Sequence, residues 1–211
     1  MFNKEEFQKN GFIVLPEFYN IEEEHLESAD LLMTDYSYKI GRKYLTHKYE
    51  TLPQCLSSLV CTDEISSFFN SFFNETLICK DVMLTHEFRH DIMERNKWLH
   101  FDRWKSLKAM VYLVDVNENN GPLSIAPQTH QKASLLRRNF KDLPYSIRPN
   151  RIELDYPQYY QEPIKITGKA GTLILFNSDV FHGGGSINEG TERMLIRSHW
   201  YVNRRWQETV E

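Results

Sequence analysis

Cysteine is scarce in this sequence, and its placement excludes two common roles. Cys55, Cys61 and Cys79 are the only cysteines among 211 residues, and they form neither a CxxC pair nor an even disulfide set. None lies at ligand spacing from a histidine, so a cysteine-based zinc site has no support. We interpret them as core residues of a protein from a reducing compartment.

Long apolar runs and an excess of positive charge are also missing. No apolar stretch approaches membrane-spanning length, and the opening MFNKEEFQKNGF lacks the apolar centre of a secretory signal. The 25 Lys and Arg residues against 29 Asp and Glu residues give a formal charge of -4, without a polybasic surface for nucleic acid or anionic lipid. We therefore expect a soluble, cytoplasmic protein whose partner is a small molecule.

The length and composition predict one globular domain over residues 1–211, with hydrophobic residues at 41% and aromatic residues at 13%. Residues 1 to about 75 indicate helices packed around a short strand, GFIVLPEF. Asn20 and Glu23 resemble a capping box before IEEEHLESADLLM. Near Thr62 a second helix begins, because five apolar residues follow at helical spacing and form one face: Ile65, Phe68, Phe69, Phe72 and Phe73.

From about residue 77 to 202 the pattern changes to short runs rich in β-branched and aromatic residues. Eight runs are candidate strands: LICKDVMLTHEF, KWLHFDRW, SLKAMVYLVDV, PLSIAP, IKIT, GTLILF, DVFHG and RMLIRSHWYV. Turn residues rather than repeated helices separate them, which favours an antiparallel barrel or double sheet. We predict a mainly β fold, a jelly roll with helices outside it. An insertion at about 131–163 is either a binding loop or lid, or a solvated excursion.

The motif His100-Phe101-Asp102 is the first candidate for chemistry. Side chains alternate between the two faces of a strand, so His100 and Asp102 point the same way while Leu99 and Phe101 point the other. Two metal ligands would then share one wall. The motif alone is weak, because His and Asp are common on protein surfaces and a half-exposed strand explains it better.

A second histidine, His182, strengthens this hypothesis because it runs directly into Gly183, Gly184 and Gly185, and glycine permits close approach of backbone and ligand. Two imidazoles and one carboxylate form the facial triad of non-haem iron oxygenases, which leaves positions for a bidentate oxoacid and O2. Arg193 follows at the start of the last strand. Its planar fork suits the distal carboxylate of such a cosubstrate, the alternative being a surface salt bridge.

Three stretches, HFD, VYLVDVNENNGPLSIAPQTH and AGTLILFNSDVFHGGGSINEGTERMLIRSHW, resemble the phytanoyl-CoA dioxygenase family. The resemblance implies a double-stranded β-helix (a cupin-like jelly roll) in which His100, Asp102 and His182 bind iron(II) and Arg193 binds 2-oxoglutarate. It also implies O2 as cosubstrate, with ascorbate as a candidate reductant. Some members place a serine two residues after the distal histidine, where this chain has Gly184. Ser186 is the candidate replacement.

The resemblance further implies oxidation of a small-molecule metabolite coupled to conversion of 2-oxoglutarate to succinate and CO2. Related halogenases lack the carboxylate ligand, so Asp102 favours hydroxylation, with desaturation and cyclisation left open. His130, in the element that resembles PGSH, is interpreted as a residue that fixes the loop.

Candidate substrate contacts follow from strand alternation. Arg193, Arg197 and His199 share one face of the last strand, so Arg197 would point into the cavity and meet an anionic group, or form a salt bridge at the rim. Trp98 and Trp104 share the ligand-bearing face and would line the pocket, or belong to the core. Two alternatives remain for the whole chain: a jelly-roll metabolite-binding protein without catalysis, and a cupin-type metalloenzyme that does not use 2-oxoglutarate.

Overall fold

A computed structural model describes residues 2–34, 42–47, 51–74, 76–88, 98–139, 143–144 and 149–202, with the backbone alone for 42–47 and 202. The helices in these ranges are α1 (Lys4–Asn10), α2 (Glu23–Met33), α3 (Gln54–Val60), α4 (Asp63–Asn70), α5 (His130–Arg138) and α6 (Ile152–Asp155), with a 3-10 turn at Pro157–Tyr159. The strands are β1 (Phe12–Leu15), β2 (Arg42–His47), β3 (Leu77–Phe88), β4 (Leu107–Tyr112), β5 (Leu123–Ala126), β6 (Ile164–Ile166), β7 (Leu173–Asn177), β8 (Phe181–Gly184) and β9 (Glu192–Val202). Each described helix is too short or too polar to cross a lipid bilayer.

The strands form two antiparallel sheets. The larger has the order β1-β7-β4-β9-β3-β2, and the smaller has the order β6-β5-β8. Strands that are neighbours in a sheet are mostly distant in sequence, as expected for a jelly roll. The predicted mainly β fold with flanking helices is therefore confirmed.

Two hydrophobic layers cover the two faces of the larger sheet. On β4, Met110 and Tyr112 face the smaller sheet, whereas Ala109 and Val111 face the helices. Because both faces are covered, every residue of β4 is buried. Lys108 shares the alternation of Met110 and Tyr112, so it points into the space between the sheets.

The N-terminal helices show one correct and one wrong prediction. Thr62 does cap α4, and its hydroxyl accepts a hydrogen bond from the backbone N–H of Ile65. The helix ends at Asn70, so Phe72 and Phe73 of the predicted face lie beyond it. The predicted cap at Asn20 is wrong, because α2 begins later with Glu22 as its N-cap. His25 completes that capping box by accepting from the Glu22 backbone N–H at 3.0 Å. The patterns also did not predict α1, α3 or β2.

A β-bulge in β3 determines which of its residues face the interior. Cys79 pairs with Trp200 and Asp81 pairs with His199, so residue 80 is an extra residue in the ladder. The extra residue reverses the alternation. Before the bulge the odd-numbered residues pack towards the helices; after it, odd-numbered residues face the interior: Asp81, Met83, Thr85 and Glu87.

The cysteines lie in or beside the core, as predicted, but two of them also meet. Cys79 is buried, and Cys55 and Cys61 are half-buried. The sulfur atoms of Cys61, which ends α3, and Cys79, on β3, are 3.1 Å apart. The sequence gives no sign of this contact, because it depends on how α3 packs against the larger sheet.

Candidate metal centre and cosubstrate pocket

His100 and Asp102 lie on a segment that the structure places outside the described strands. The prediction of a continuous strand over KWLHFDRW is wrong, since its described residues, 98–104, form only isolated bridges, from His100 to Arg151 and to His182. His100 and His182 exchange two backbone hydrogen bonds of 2.8 Å, and the Asp102 N–H donates to the Ser178 carbonyl at 3.0 Å. The segment therefore runs beside β8 and carries its side chains to His182.

Alternation nevertheless holds locally. Leu99 and Phe101 are buried in a small hydrophobic cluster that includes Phe181. His100 and Asp102 point the other way and line a cavity. The inference that these two side chains share a wall is correct, although a regular strand was not needed to achieve it.

The three predicted ligands converge. One ligand atom from each of His100, Asp102 and His182 lies within 4.8 Å of the others, and no second group of this kind occurs among the residues that the structure describes. Oδ1 of Asp102 is 4.0 Å from Nε2 of His100 and 3.6 Å from Nε2 of His182. A single ion between these atoms would be bound by two imidazoles and one carboxylate oxygen on one face.

Backbone carbonyl groups fix the orientation of both imidazoles. Nδ1–H of His100 donates to the Trp98 carbonyl at 3.1 Å, and Nδ1–H of His182 donates to the Val180 carbonyl at 2.7 Å. Each carbonyl can only accept, so Nδ1 carries the proton and Nε2 keeps its lone pair. Both lone pairs are thus available on the side of Asp102.

Burial keeps the two histidines in the neutral form. Burial lowers the pKa of His100, with a partial counter-effect from Asp102. The pKa of His182 lies well below its usual value, first because of burial and then because of the neighbouring His100 and Lys108. Neutral imidazole is the form that binds a metal ion.

Lys108 is a buried partner of the carboxylate that the sequence analysis did not identify. Its Nζ lies 2.5 Å from Oδ2 of Asp102, and its side chain is only 3% exposed. Burial, the largest single effect, would raise the pKa of Asp102, but Lys108, His182 and His100 together outweigh burial and lower it. Burial lowers the pKa of Lys108 to about 8, although the negative charge of Asp102 partly offsets this decrease. One carboxylate oxygen thus faces the imidazoles while the other is held by an ammonium group.

Arg193 is buried in the same cavity, and its partner was also unexpected. Its Nε donates to Oε2 of the buried Glu87 at 3.0 Å, Nη2 contacts the same oxygen, and Nη1 donates to the Gly121 carbonyl. Guanidinium has five N–H donors. These contacts use three of them and leave one donor on Nη1 and one on Nη2 for a further acceptor such as a carboxylate.

The cavity has two lobes that share the wall formed by Met83, His100, Asp102, Lys108 and Arg197. The first lobe, about 410 Å³, extends towards Thr85, Glu87, Leu123, Arg193 and Leu195. The second lobe, about 420 Å³, extends towards Asp81, Arg103, Trp104, Asn150, His199 and Tyr201. The two ends of the cavity therefore differ in polarity, because Leu123 and Leu195 line only the first lobe, and in the strand positions that line them.

The other predicted site residues fall into two groups. Arg197 lines both lobes, and Trp104 lines the second. Trp98 lies below the Arg151 guanidinium, 4.8 Å from ring centroid to Cζ, and is not among the cavity-lining residues that the structure describes. Ser186 is exposed and likewise not among them, so Thr85 is the better-placed hydroxyl. His130 begins α5 and hydrogen-bonds the backbone of Gln8, in keeping with a role in fixing the loop.

The described part of the insertion packs against the ligand-bearing segment. Arg137 of α5 donates to the Asp102 carbonyl and pairs with the buried Asp179. The Ile152 N–H donates to the Leu99 carbonyl at 2.8 Å, and the Leu99 N–H donates to Glu153 at 2.9 Å. This part of the insertion holds the candidate ligands in place rather than projecting into solvent.

Two histidines and one carboxylate that converge in the cavity of a jelly roll are the donor set of the non-haem iron oxygenases. The family model for phytanoyl-CoA dioxygenase matches residues 22–194. The chain therefore belongs to the phytanoyl-CoA dioxygenase family, as the sequence motifs predicted.

Individual relatives are more distant. An ectoine dioxygenase of Bordetella bronchiseptica is 28% identical over a 91-residue alignment that covers 39% of this chain and 29% of that enzyme. The match thus spans less than a third of the enzyme's length.

Solved structures share the fold at low sequence identity. HygX of Streptomyces hygroscopicus, solved with nickel, 2-oxoglutarate and hygromycin B, has a TM-score of 0.65 at 14% identity over 96% of this chain and 88% of HygX. The epimerase SnoN, in complex with Fe3+, alpha ketoglutarate and nogalamycin RO, has a TM-score of 0.69 at 15% identity over 93% of this chain and 81% of SnoN. The carbocyclase SnoK, also alpha ketoglutarate-dependent, has a TM-score of 0.67 at 16% identity over the same shares.

Proposed function

We propose that this chain is a non-haem iron(II)- and 2-oxoglutarate-dependent dioxygenase that hydroxylates a small-molecule metabolite. The observation that carries the proposal is the convergence of Nε2 of His100, Nε2 of His182 and Oδ1 of Asp102 in the cavity that also contains Arg193. Family membership and the cofactors of the solved neighbours support it.

The donor set fits iron(II). Both imidazoles are held with Nε2 deprotonated, the carboxylate offers one oxygen, and Lys108 occupies the other. Iron bound there would supply activation of O2 coupled to decarboxylation of 2-oxoglutarate to succinate and CO2. Ascorbate would serve as an external reductant.

The chain's own residues bind and orient the cosubstrate and exclude water. The end of the Arg193 fork would receive the distal carboxylate of 2-oxoglutarate, with Thr85 as a hydroxyl donor in the same lobe. Leu123, Met110 and Leu195 give that lobe an apolar floor. Water excluded from this floor cannot compete for the carboxylate or the metal site.

Hydroxylation is proposed over halogenation because Asp102 occupies the position that a halide would need. The solved neighbours include an epimerase and a carbocyclase, so the fold itself also supports other outcomes. A small substrate fits lobes of about 410 and 420 Å³.

The test separates metal, cosubstrate and turnover. Calorimetry with Ni(II) as an inert substitute should give at least 100-fold weaker binding for His182→Ala than for the natural chain, because a ligand is lost. His86→Ala is the matched control, since His86 pairs with Glu192 outside the cluster. Arg193→Gln should weaken 2-oxoglutarate binding at least ten-fold, with Arg138→Gln, at the exposed end of α5, as control.

Iron-dependent formation of succinate completes the experiment. Metal binding without 2-oxoglutarate binding would favour a cupin-type metalloenzyme that uses no oxoacid. Binding of both without succinate formation would favour a non-catalytic binding protein.

A further inference from the structure

The second lobe of the cavity continues where the first one ends. Along β9, Arg193 and Leu195 line the first lobe, Arg197 lines both, and His199 lines the second. At about 3.3 Å per residue, His199 lies roughly 20 Å along the strand from Arg193. A cosubstrate held by Arg193 would therefore leave the second lobe open to another molecule beside His100 and Asp102.

The residues that are particular to the second lobe are polar or carry a polar tip: Asp81, Arg103, Trp104, Asn150, His199 and Tyr201. Met83, in the shared wall, is the only aliphatic side chain among the described residues of this lobe. A hydrocarbon chain placed here would take water away from charged groups without giving them a hydrogen bond, which costs free energy. The lining thus disfavours a long acyl chain.

The half-buried Asp81 and the buried His199 form a pair in the second lobe. The bulge before Asp81 turns its carboxylate inward, directly opposite His199 in the register of β3 and β9. Nδ1–H of His199 donates to Oδ1 of Asp81. The other ring nitrogen, Nε2, then remains as an acceptor for a hydroxyl or amine proton. Burial lowers the pKa of His199 to about 4 despite Asp81, so the ring is neutral near pH 7.

Arg197 brings positive charge to the wall between the lobes. It lies opposite Met83 and Met110 in the sheet, and Nη2 is 2.7 Å from the Met83 sulfur, a weak acceptor. Arg197 lines the second lobe together with His100, Lys108 and His199, which places the guanidinium among these groups. A carboxylate or phosphate is the natural partner of a guanidinium fork in such a cavity.

We propose that the second lobe is the substrate subsite and takes a compact hydroxylated or aminated anion. The carboxylate or phosphate of the substrate binds Arg197, and its hydroxyl or amine donates to Nε2 of the Asp81–His199 pair. These two contacts hold the substrate beside the metal ligands. The inference rests on the proposed dioxygenase function and adds the class of substrate to it.

The experiment is a calorimetric titration of the full chain after saturation with Ni(II) and 2-oxoglutarate, which prevents turnover and fills the first lobe. Four probes separate the chemistry: glycerol 3-phosphate and glycerate carry an anion and hydroxyls, glycerol carries hydroxyls alone, and hexanoate carries an anion on an apolar chain. At least one hydroxylated anion should bind ten-fold or more tightly than both glycerol and hexanoate. Its identity distinguishes a phosphate from a carboxylate.

Two variants link that binding to the named residues. Arg197→Gln should weaken the preferred probe at least ten-fold, because a charge-assisted hydrogen bond is lost. His199→Phe should reduce the preference for the hydroxylated anion over hexanoate, because Nε2 is lost while an aromatic ring remains. Lys165→Gln, an exposed position on β6 paired with Glu118, is the control, and the thermal unfolding of each variant reports folding.

The outcomes are distinct. If the natural chain loaded with Ni(II) does not bind 2-oxoglutarate, the dioxygenase proposal itself is overturned. Three other results would overturn the subsite alone, provided that Ni(II) and 2-oxoglutarate still bind normally. They are tighter binding of hexanoate than of the hydroxylated anions, no binding of either hydroxylated anion, and unchanged affinity of the preferred probe for Arg197→Gln.

Discussion

The ammonium group of Lys108 lies 2.5 Å from Oδ2 of Asp102, whose Oδ1 faces the two imidazoles. Each charge neutralises the other in a buried setting. Removal of one partner leaves the other uncompensated, whereas removal of both does not. This relationship makes the pair a stability element of the metal-free protein as well as a part of the site.

Lys108→Met should therefore destabilise the metal-free protein by about 2 kcal/mol, less than for a fully buried pair because the Asp102 side chain is 26% exposed. The double variant Lys108→Met, Asp102→Asn should recover most of the loss. Urea denaturation of the natural chain, both single variants and the double variant measures this coupling. Additive losses would show that the two charges do not interact.

Glu87→Gln should make 2-oxoglutarate bind about ten-fold more tightly. Glu87 and the distal carboxylate of the cosubstrate would share the Arg193 guanidinium, and removal of one negative charge reduces their repulsion. Glu192→Gln, an exposed neighbour of Arg193 in the chain, is the control. Weaker binding in the Glu87 variant would mean that the carboxylate acts chiefly by orienting the guanidinium.

Arg137→Met should cost about 3 kcal/mol of unfolding free energy, because it leaves the buried carboxylate of Asp179 without its partner. Nickel affinity should fall about ten-fold, since Arg137 also holds the Asp102 carbonyl. Arg138→Met, at an exposed neighbouring position of α5, should change the free energy of unfolding by no more than about 0.5 kcal/mol relative to the natural chain. Equal effects of the two variants on urea denaturation would contradict the role assigned to Arg137.

The metal-free protein should lose stability as the pH falls from about 6.5 to 4. Burial is the main cause that lowers the pKa of His199 to about 4. Arg197 and Lys108 lower this pKa further, whereas Asp81 raises it. In the unfolded chain His199 has its ordinary pKa of 6.5, so between pH 6.5 and 4 the unfolded chain binds a proton that the folded chain does not.

The expected loss from His199 is on the order of 1–2 kcal/mol at pH 5. Urea denaturation at several pH values should give a smaller slope for His199→Gln, which cannot take up this proton. An unchanged slope would show that other groups dominate the acid sensitivity.

Gly171→Ala should destabilise the protein far more than Gly190→Ala, although both glycines have positive φ angles, 85° and 73°. A Cβ atom on Gly171 would lie 1.8 Å from the Tyr19 carbonyl oxygen, whereas nothing lies within 4 Å at Gly190. We expect the free energy of unfolding to fall by about 1 kcal/mol for Gly190→Ala, from the backbone conformation alone, and by about 3 kcal/mol or more for Gly171→Ala. Similar midpoints of urea unfolding for the two variants would contradict the close contact.

Local patterns predicted the parts of the fold that depend on neighbours in the chain. Thr62 and the apolar face behind it specify α4, and alternation placed Arg193 and Arg197 on the interior face of β9. The family motifs identified the three residues that converge. The predicted cap of α2 is wrong by two residues, because Glu22 and His25, and not Asn20, form the capping box.

The missing parts depend on contacts between distant segments. Lys108 stands in an apolar strand, and its partner Asp102 is reached only through the fold. Glu87 and Asp81 face the interior because a single extra residue reverses the alternation of β3, a feature without a local signature. Charged residues inside apolar runs were the one available signal, and they indicate burial without naming the partner.

The candidate ligands come from two places in the chain that are eighty or more residues apart, joined by backbone hydrogen bonds between His100 and His182 and between Asp102 and Ser178. An ion held by both segments would act as a reversible cross-link that closes this long loop. Closing a loop of this length in the unfolded chain costs entropy, so the ion would tie binding to the integrity of the jelly roll. Chelation should therefore be detectable as faster proteolysis of the segment around Phe101, before any change in catalysis is considered.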